Sequence, residues 1–445
     1  MYKRQVKSVA VDLSPTNWNP QVLEAYQESM TGQPLDETLA ARGLTLTEDG
    51  SQGVVASTSN AFAVHAGIET LKRGGNAMDA LLVTTLTQPA LHMGGATSYA
   101  GQGFFMYYEA ATGKVYSVSG GYATTLGETD PMSIPPYGTP SGRAVLVPGF
   151  MAGVELSHKM FASLPFESLF QPAIYVAEQG LPISPTWRMM LEQRKHVLTR
   201  LPSGREIFLN EAGELPEPGT VVKQPQLAQF LKNVAAQGAD YMYRGAWAEK
   251  FVAAVQEQGG TMTLADLERY QPTAVELPAV NARGYQVYGG APLLEKIKLA
   301  ELADLRSMGH YSESEDALYW LMKITRVDNV IGPHMSGSGV TPAQVAEKIP
   351  GLDVSGESRF TDAMREKLWS AMNTSAWQEL EQQAEAEQAK QAAIVAKLIK
   401  DFSVRKVDEE EAEKEGSRPD HTAGVVVIDS KGNMAVTVHL SLIHI

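Results

Sequence analysis

From Gly53 onward, the spacing of apolar and polar positions predicts a run of short strands and amphipathic helices. Val54-Val55-Ala56 reads as a strand, and Ser59 or Asn60 stands where a cap is needed ahead of a helix over Ala61–Lys72. Phe62, Ala66, Ile68 and Leu71 give that helix an apolar side, and Gly74-Gly75 ends it. Residues 77–86 are apolar almost all round, which predicts a buried helix that stops at Pro89. Residues 103–108 and 115–118 predict two strands joined by a turn at Ala111-Thr112-Gly113. After Pro148-Gly149, helical patterns dominate, over 151–161, 169–179, 224–237 and 246–258. Gly259-Gly260 closes the last of these, and Thr263-Leu264-Ala265-Asp266 opens a short new helix. Residues 376–400 have early acids and late lysines, an order that suits the helix dipole. Residues 408–415 are a charge run, read as a solvated linker. The pattern then changes to period two, with a β-branched run over 423–429, a turn at Ser430-Lys431-Gly432-Asn433 and a second strand over 434–438. Residues 6–50, with Pro15, Pro20 and Pro34, read as an irregular lead-in.

Composition adds bounds. A 445-residue chain that is 44% apolar can bury a large core, as about three domains or as one large α/β unit. The net charge of −14, with no Lys/Arg-rich stripe, argues against nucleic acid or an anionic membrane face as partner. The absence of cysteine excludes disulfides, thiolate metal sites and a cysteine nucleophile. No apolar stretch approaches the ~20 residues of a membrane helix. The closing Leu440-Ser441-Leu442-Ile443-His444-Ile445 back-translates to the end of a sequencing-library transposon. The reverse complement, read from a GTG start, gives Met1-Tyr2-Lys3-Arg4-Gln5. Residues 1–5 and 440–445 are therefore expected to be adapter-derived and are left out of fold reasoning. The codons at both ends test this.

Several familiar sites are absent from the sequence: HExxH, the GxSxG elbow and a phosphate loop ending in Gly-Lys-Ser/Thr. The glycines at 94, 95, 101 and 103 do not form a dinucleotide fingerprint. His65, His92 and His158 lack ligand spacing and read as structural, so no metal or organic cofactor is implied. Asp420-His421-Thr422-Ala423-Gly424 places a hydroxyl residue where an acidic linker meets a buried hairpin. Taken alone, that threonine is a good strand starter.

A series of short segments gives it another meaning. They are Gly53-Val54-Val55-Ala56-Ser57, Gly74-Gly75-Asn76-Ala77-Met78-Asp79-Ala80, Gly101-Gln102-Gly103-Phe104 and Val147-Pro148-Gly149 with Gly153. Gln171-Pro172-Ala173 through Ala177-Glu178-Gln179-Gly180, Gln224-Pro225 with Leu227, and Tyr243-Arg244-Gly245 follow. Gly259-Gly260-Thr261-Met262-Thr263-Leu264-Ala265-Asp266-Leu267 with Tyr270 completes the series. In this order they resemble segments of the γ-glutamyltransferases, self-cleaving N-terminal-nucleophile (Ntn) hydrolases. The match is good over 53–290 and 417–439, and poor across the helical stretch 295–415. The resemblance implies an α/β, αββα-sandwich Ntn-hydrolase precursor. Residues 6–421 would belong to the large subunit and 422–439 would begin the small catalytic subunit. It further implies scission of the His421–Thr422 bond, with Thr422 as the nucleophile. The implied partners are a small-molecule amide or peptide such as glutathione, and the two subunits of one precursor, with no nucleic acid and no membrane. The compartment stays open, periplasmic or secreted being the family's habit.

The chemistry suits the residue. A threonine hydroxyl needs an adjacent base, and the α-amine freed by scission, with a pKa near ~7.7–8.0, can take its proton. The departures from the family are also informative. Gly121, in Ser119-Gly120-Gly121-Tyr122-Ala123, stands where the family has an arginine for the substrate carboxylate, and no other side chain reproduces a bidentate guanidinium. Arg143 is nearby in sequence. Ala291-Pro292-Leu293-Leu294 replaces a Pro-Ser-Ser-Gly-Gly-like stretch, and Ala423-Gly424 replaces Thr-His. A related acylase acting on another amide, or a non-catalytic relative, is the alternative. The family's second threonine, about eighteen residues after the nucleophile, falls at Leu440, and its oxyanion-hole glycines fall beyond that. The chain is therefore expected neither to process itself nor to turn over substrate.

Overall fold

In the computed structural model, the described residues are 11–44, 53–58, 60–95, 97–135, 140–332, 340–402 and 422–440. The expectations for residues 1–5, the linker at 408–415, His421 and residues 441–445 lie outside them. The chain forms two compact units, one from Met1–Glu276 with Glu415–Ile445 and one from Leu277–Lys414.

The first unit is built on a six-stranded antiparallel sheet. Its strands are β1 (Gly53–Ser57), β2 (Gln102–Glu109), β3 (Lys114–Gly120), β6 (Thr273–Glu276), β9 (Ala423–Asp429) and β10 (Met434–Leu440), in the order β1-β9-β10-β2-β3-β6. A separate two-stranded ladder pairs β4 (Leu181–Pro182) with β5 (Val221–Val222). The C-terminal hairpin therefore supplies two inner strands. β9 pairs with β1 from Gly53↔Asp429 to Ser57↔Val425, and β10 pairs with β2 from Met434↔Tyr108 to Leu440↔Gln102.

Period-two alternation sorts the sheet into two faces. Phe105, Val118, Val425, Val427 and Ala435 are buried on one. On the other, Val54, Phe104, Val426 and Val438 are 42–53% exposed. Helices α3 (Ala61–Lys72), α4 (Ala77–Leu91) and α5 (Phe150–Phe161) cover the buried face. α3 begins where expected, with Asn60 at φ +68° and its Oδ1 accepting from the Phe62 and Ala63 amides. α4 starts with a capping box between Asn76 and Asp79, and the Asp79 carboxylate also accepts from the Ser163 and Leu164 amides.

Two sequence expectations are corrected. α4 does not stop at Pro89 but runs to Leu91. Every residue of it is buried, so packing of Ala90 and Leu91 outweighs the one backbone donor lost in its last turn. The lead-in is also not irregular throughout. α1 (Pro20–Ser29) and α2 (Leu35–Ala40) form within it. Asn19 caps α1 and Pro20 opens it, and Trp18 and Tyr26 close on Phe62 at ring separations of 4.8 and 5.8 Å.

The second unit has a short hairpin, β7 (Ala279–Ala282) with β8 (Tyr285–Tyr288), and helices that include Ala291–Leu302, Glu315–Thr325, Asp362–Ala371 and the expected long helix at Ser375–Phe402. Its core gathers Leu299, Val327, Leu368, Trp377 and Leu380. Inside it, Arg359 Nη2 meets Glu295 Oε2 at 2.5 Å, with both side chains at most 2% exposed, and also Asp328 at 2.9 Å. Ala291-Pro292-Leu293-Leu294 forms the first turn of the helix Ala291–Leu302.

Candidate active site at the head of a central strand

Thr422 is exposed and sits immediately ahead of β9. The next residues are fixed from both sides. Ala423 pairs with His439, Thr58 donates its amide to Gly424 O at 3.0 Å, and the Gly424 amide donates to Thr58 Oγ1 at 3.0 Å. The opposite end of the hairpin is tied down by Asp429. Its Oδ1 accepts from the Lys431 and Asn433 amides at 2.9 and 3.1 Å. Its Oδ2 accepts from Asn433 Nδ2 at 2.9 Å and from the buried Ala77 amide, at the start of α4, at 3.0 Å. Asn433 Oδ1 in turn accepts from Ala110 N in the β2–β3 turn at 3.0 Å. The motif Ala77-Met78-Asp79 thus serves the hairpin through α4.

Beneath the Thr422 end of the sheet runs a buried polar chain. His439 Nε2 bonds Gln88 Oε1 at 2.7 Å, and Gln88 Nε2 donates to Ser57 Oγ at 2.6 Å. His439 stacks on Phe150 at 5.3 Å. Burial, with a smaller push from His92, drives its pKa down to about 3, so the ring is neutral.

Two glycine segments of the sequence series have a steric reason here. A Cβ on Gly101 would lie 2.0 Å from Leu440 O, and one on Gly149 would lie 2.0 Å from Tyr270 Oη. The Gly149 and Phe150 amides both donate to Gly101 O, at 3.1 and 3.0 Å. Only glycine lets these backbones meet at the end of the sheet.

The ladder registers place four positions in a row at that end. Thr422 is one step beyond the Ala423↔His439 pair, Leu440 pairs with Gln102, and Gly121 is one step beyond Gly120↔Gly103. Beside Gly121 opens a cavity of about 370 Å³, lined by Ser119, Tyr122, Asp266, Arg269, Tyr270 and Thr273 among others. Tyr270 Oη donates to Gly121 O at 2.6 Å. Asp266 is 1% exposed. Burial works against its charge, but bonds from the Leu126 and Thr263 amides and from Thr263 Oγ1 hold its pKa below the usual range.

The structure separates Arg143 from this cavity. Its guanidinium grips Glu128 twice, at 2.8 and 2.7 Å, and reaches Asp130 O and Ser133 Oγ, which makes it a loop tie. The guanidinium at the cavity belongs to Arg269, a residue that sequence reasoning passed over. His65 packs on Trp18 at 4.7 Å, and His158 Nε2 bonds Leu164 O at 2.8 Å. Among the described residues no cluster of His, Asp and Glu could hold a metal ion. None of their helices is long and apolar enough to cross a membrane.

Comparison with known proteins shows what the chain is similar to. The profile of the family described as Gamma-glutamyltranspeptidase matches residues 63–327. The glutathione hydrolase proenzyme of Bacillus subtilis strain 168 is 29% identical over 271 residues, 57% of this chain and 45% of that protein. The chain thus spans less than half the length of this relative. The crystal structure of Helicobacter pylori gamma-glutamyltranspeptidase superposes with a TM-score of 0.59 at 22% identity, covering 75% of this chain and 96% of that one. Cephalosporin acylase from Bacillus halodurans superposes at 0.57 with 21% identity, covering 87% and 65% respectively. These two likenesses show the fold, a mixed helix-and-sheet architecture.

Proposed function

Because the chain belongs to the gamma-glutamyltranspeptidase family, we propose that its parent protein is a self-processing amide hydrolase and acyltransferase with Thr422 as nucleophile. The observation that carries this reading is the placement of an exposed Thr422 at the head of an inner strand whose next residue is paired. Attack of Thr422 Oγ on the His421 carbonyl forms an ester and releases the Thr422 amine, an N-to-O acyl shift. Water then cleaves the ester, leaving Thr422 as a new N-terminus. In turnover the free amine takes the hydroxyl proton as the oxygen attacks the substrate amide carbonyl. The tetrahedral adduct expels the substrate amine, protonated by the same group. The acyl-Thr422 ester then passes its acyl group to water or to another amine. Nucleophile and base share one residue, so little positioning entropy is lost. γ-Glutamyl amides such as glutathione are the leading substrate class.

Gly121 favours a second reading, an acylase for another amide, because glycine has no side chain to hold a carboxylate where the family has its arginine. A non-catalytic relative would leave the peptide bond ahead of Thr422 intact. Leu440 has no hydroxyl to hydrogen-bond Thr422, so the 445-residue chain is expected to stay uncut. Expression of a longer form with a hydroxyl residue at position 440, read by mass spectrometry, tests the proposal. Cleavage ahead of Thr422 that Thr422→Ala abolishes supports it. An uncut product, or cleavage at another bond, sinks it.

A further inference from the structure

The cavity beside Gly121 lies on the same end of the sheet as Thr422 but not next to it. Three strand intervals separate their positions in the register row, which at ~4.8 Å each puts them about 14 Å apart. Arg269 stands on the cavity wall at the end of the short helix Leu264–Glu268, with its side chain 42% exposed. Its Nη2 donates to Thr124 O at 2.6 Å and faces Asp266 Oδ1 at 3.5 Å. Among the described residues its Nε and Nη1 carry no partner, so the Nη1 amino group is available to an incoming anion. The neighbouring Asp266 carboxylate, held by the three bonds described above, faces Nη2 and leaves Nη1 unpaired. Ser119 and Thr273 add hydroxyls to the wall.

We propose that this cavity is an anion subsite in which Arg269 holds the carboxylate of an extended acyl donor, one whose carboxylate lies roughly 10 Å or more from the carbonyl that Thr422 attacks. The proposal rests on the reading of Thr422 as nucleophile and names the substrate class of that site. A single amino-acid acyl group spans about 3.5 Å per residue and does not bridge the interval. A peptide-like or long-chain dicarboxylic acyl group does. Gly121 belongs to the same design. A Cβ there would meet only ordinary contacts, Ser119 Oγ at 3.4 Å and the Phe104 ring at 3.6 Å, so the bare backbone leaves the path to Arg269 open without being sterically forced.

All the lining residues fall between 119 and 273, so binding is read on the 445-residue chain without any Thr422 chemistry. The probes for calorimetric titration are the monoanilide of sebacic acid, the methyl ester of that monoanilide, and the shorter monoanilide of glutaric acid. The free sebacic acid is expected to bind at least tenfold more tightly than its ester and than the glutaric compound, and Arg269→Gln is expected to erase that advantage. Because Arg269→Gln also frees Thr124 O, Gly121→Arg provides a second variant that keeps Arg269. It places a cation nearer Thr422, fills the cavity and should turn the preference toward the glutaric compound. Equal binding of acid and ester, no binding of the sebacic compound, or a preference unmoved by either variant overturns the subsite. Failure of processing ahead of Thr422 in the extended protein would instead overturn the reading beneath it.

Discussion

Asp429→Ala tests how the hairpin that carries Thr422 is held. The carboxylate receives four hydrogen bonds, three from its own turn and one from the Ala77 amide. Water can replace much of the turn's share, since Lys431 and Asn433 lie at the surface, and about 1 kcal/mol is lost there. The Ala77 amide is different, because Ala77 is fully buried and an orphaned donor costs about 1–3 kcal/mol. The sum, about 3 kcal/mol, corresponds to roughly a hundredfold change in an opening equilibrium. Because the chain has two compact units, a single melting temperature would blur the effect. Amide hydrogen exchange resolved to peptides covering 423–440 isolates it. Exchange there should accelerate roughly a hundredfold in Asp429→Ala and about tenfold in Asp429→Asn, which keeps the shape and one acceptor. Peptides from 291–302 in the second unit should not change. Hairpin exchange within threefold of the parent would refute the argument that this carboxylate fastens the strand pair to α4.

Two other predictions follow from buried titratable groups. His439, held neutral with a pKa near 3 against 6.5 for a free imidazole, leaves the unfolded chain binding the extra proton on acidification. Its contribution is complete above pH 6.5 and falls as pH drops toward 3, by at most about 1.4 kcal/mol per pH unit. His439→Gln should flatten that part of a stability-against-pH series measured by denaturant titration, and an unchanged slope would contradict the assignment. In the second unit, Arg359→Met strands Glu295, whose pKa burial already raises against the opposing pull of Arg359. A loss of about 3–5 kcal/mol in denaturant titration is expected, with most of it recovered when Glu295→Leu is added. Additive losses would show that the two side chains are not coupled.

Local physics made much of this molecule readable in advance. The cap at Asn60, the box from Thr263 to Asp266 and the turn at Lys431-Gly432 each rest on a few consecutive residues, and each stands where the pattern put it. What the pattern could not supply was partnership at long range. Nothing near Val427 says that its strand lies between β1 and β10, because that pairing joins residues more than three hundred positions apart. Pro89 misled for the complementary reason. A helix buried on all sides tolerates a proline that an exposed one would not. α1 forms because Asn19-Pro20 is a helix-start signal, which the three prolines of the segment obscure in the pattern. At the candidate site, Thr422 emerged from the resemblance rather than from its surroundings. Arg269 gave no local sign, since only the fold brings the end of its helix to Gly121. Proximity in sequence does not tell where the Arg143 side chain reaches; in the fold it is bound to Glu128.

The strand order has a consequence for how the chain comes into being. β1 and β2 are made early, yet neither touches the other in the finished sheet, because two strands made more than three hundred residues later lie between them. During synthesis the β1 edge and one edge of β2 therefore have no ladder to join until Leu440 has left the ribosome. Such edges invite pairing with other chains, and closing them carries the loop entropy of the whole intervening segment. A cut ahead of Thr422 would then come after assembly rather than before it, leaving the severed hairpin clamped between two ladders that no longer need the covalent link.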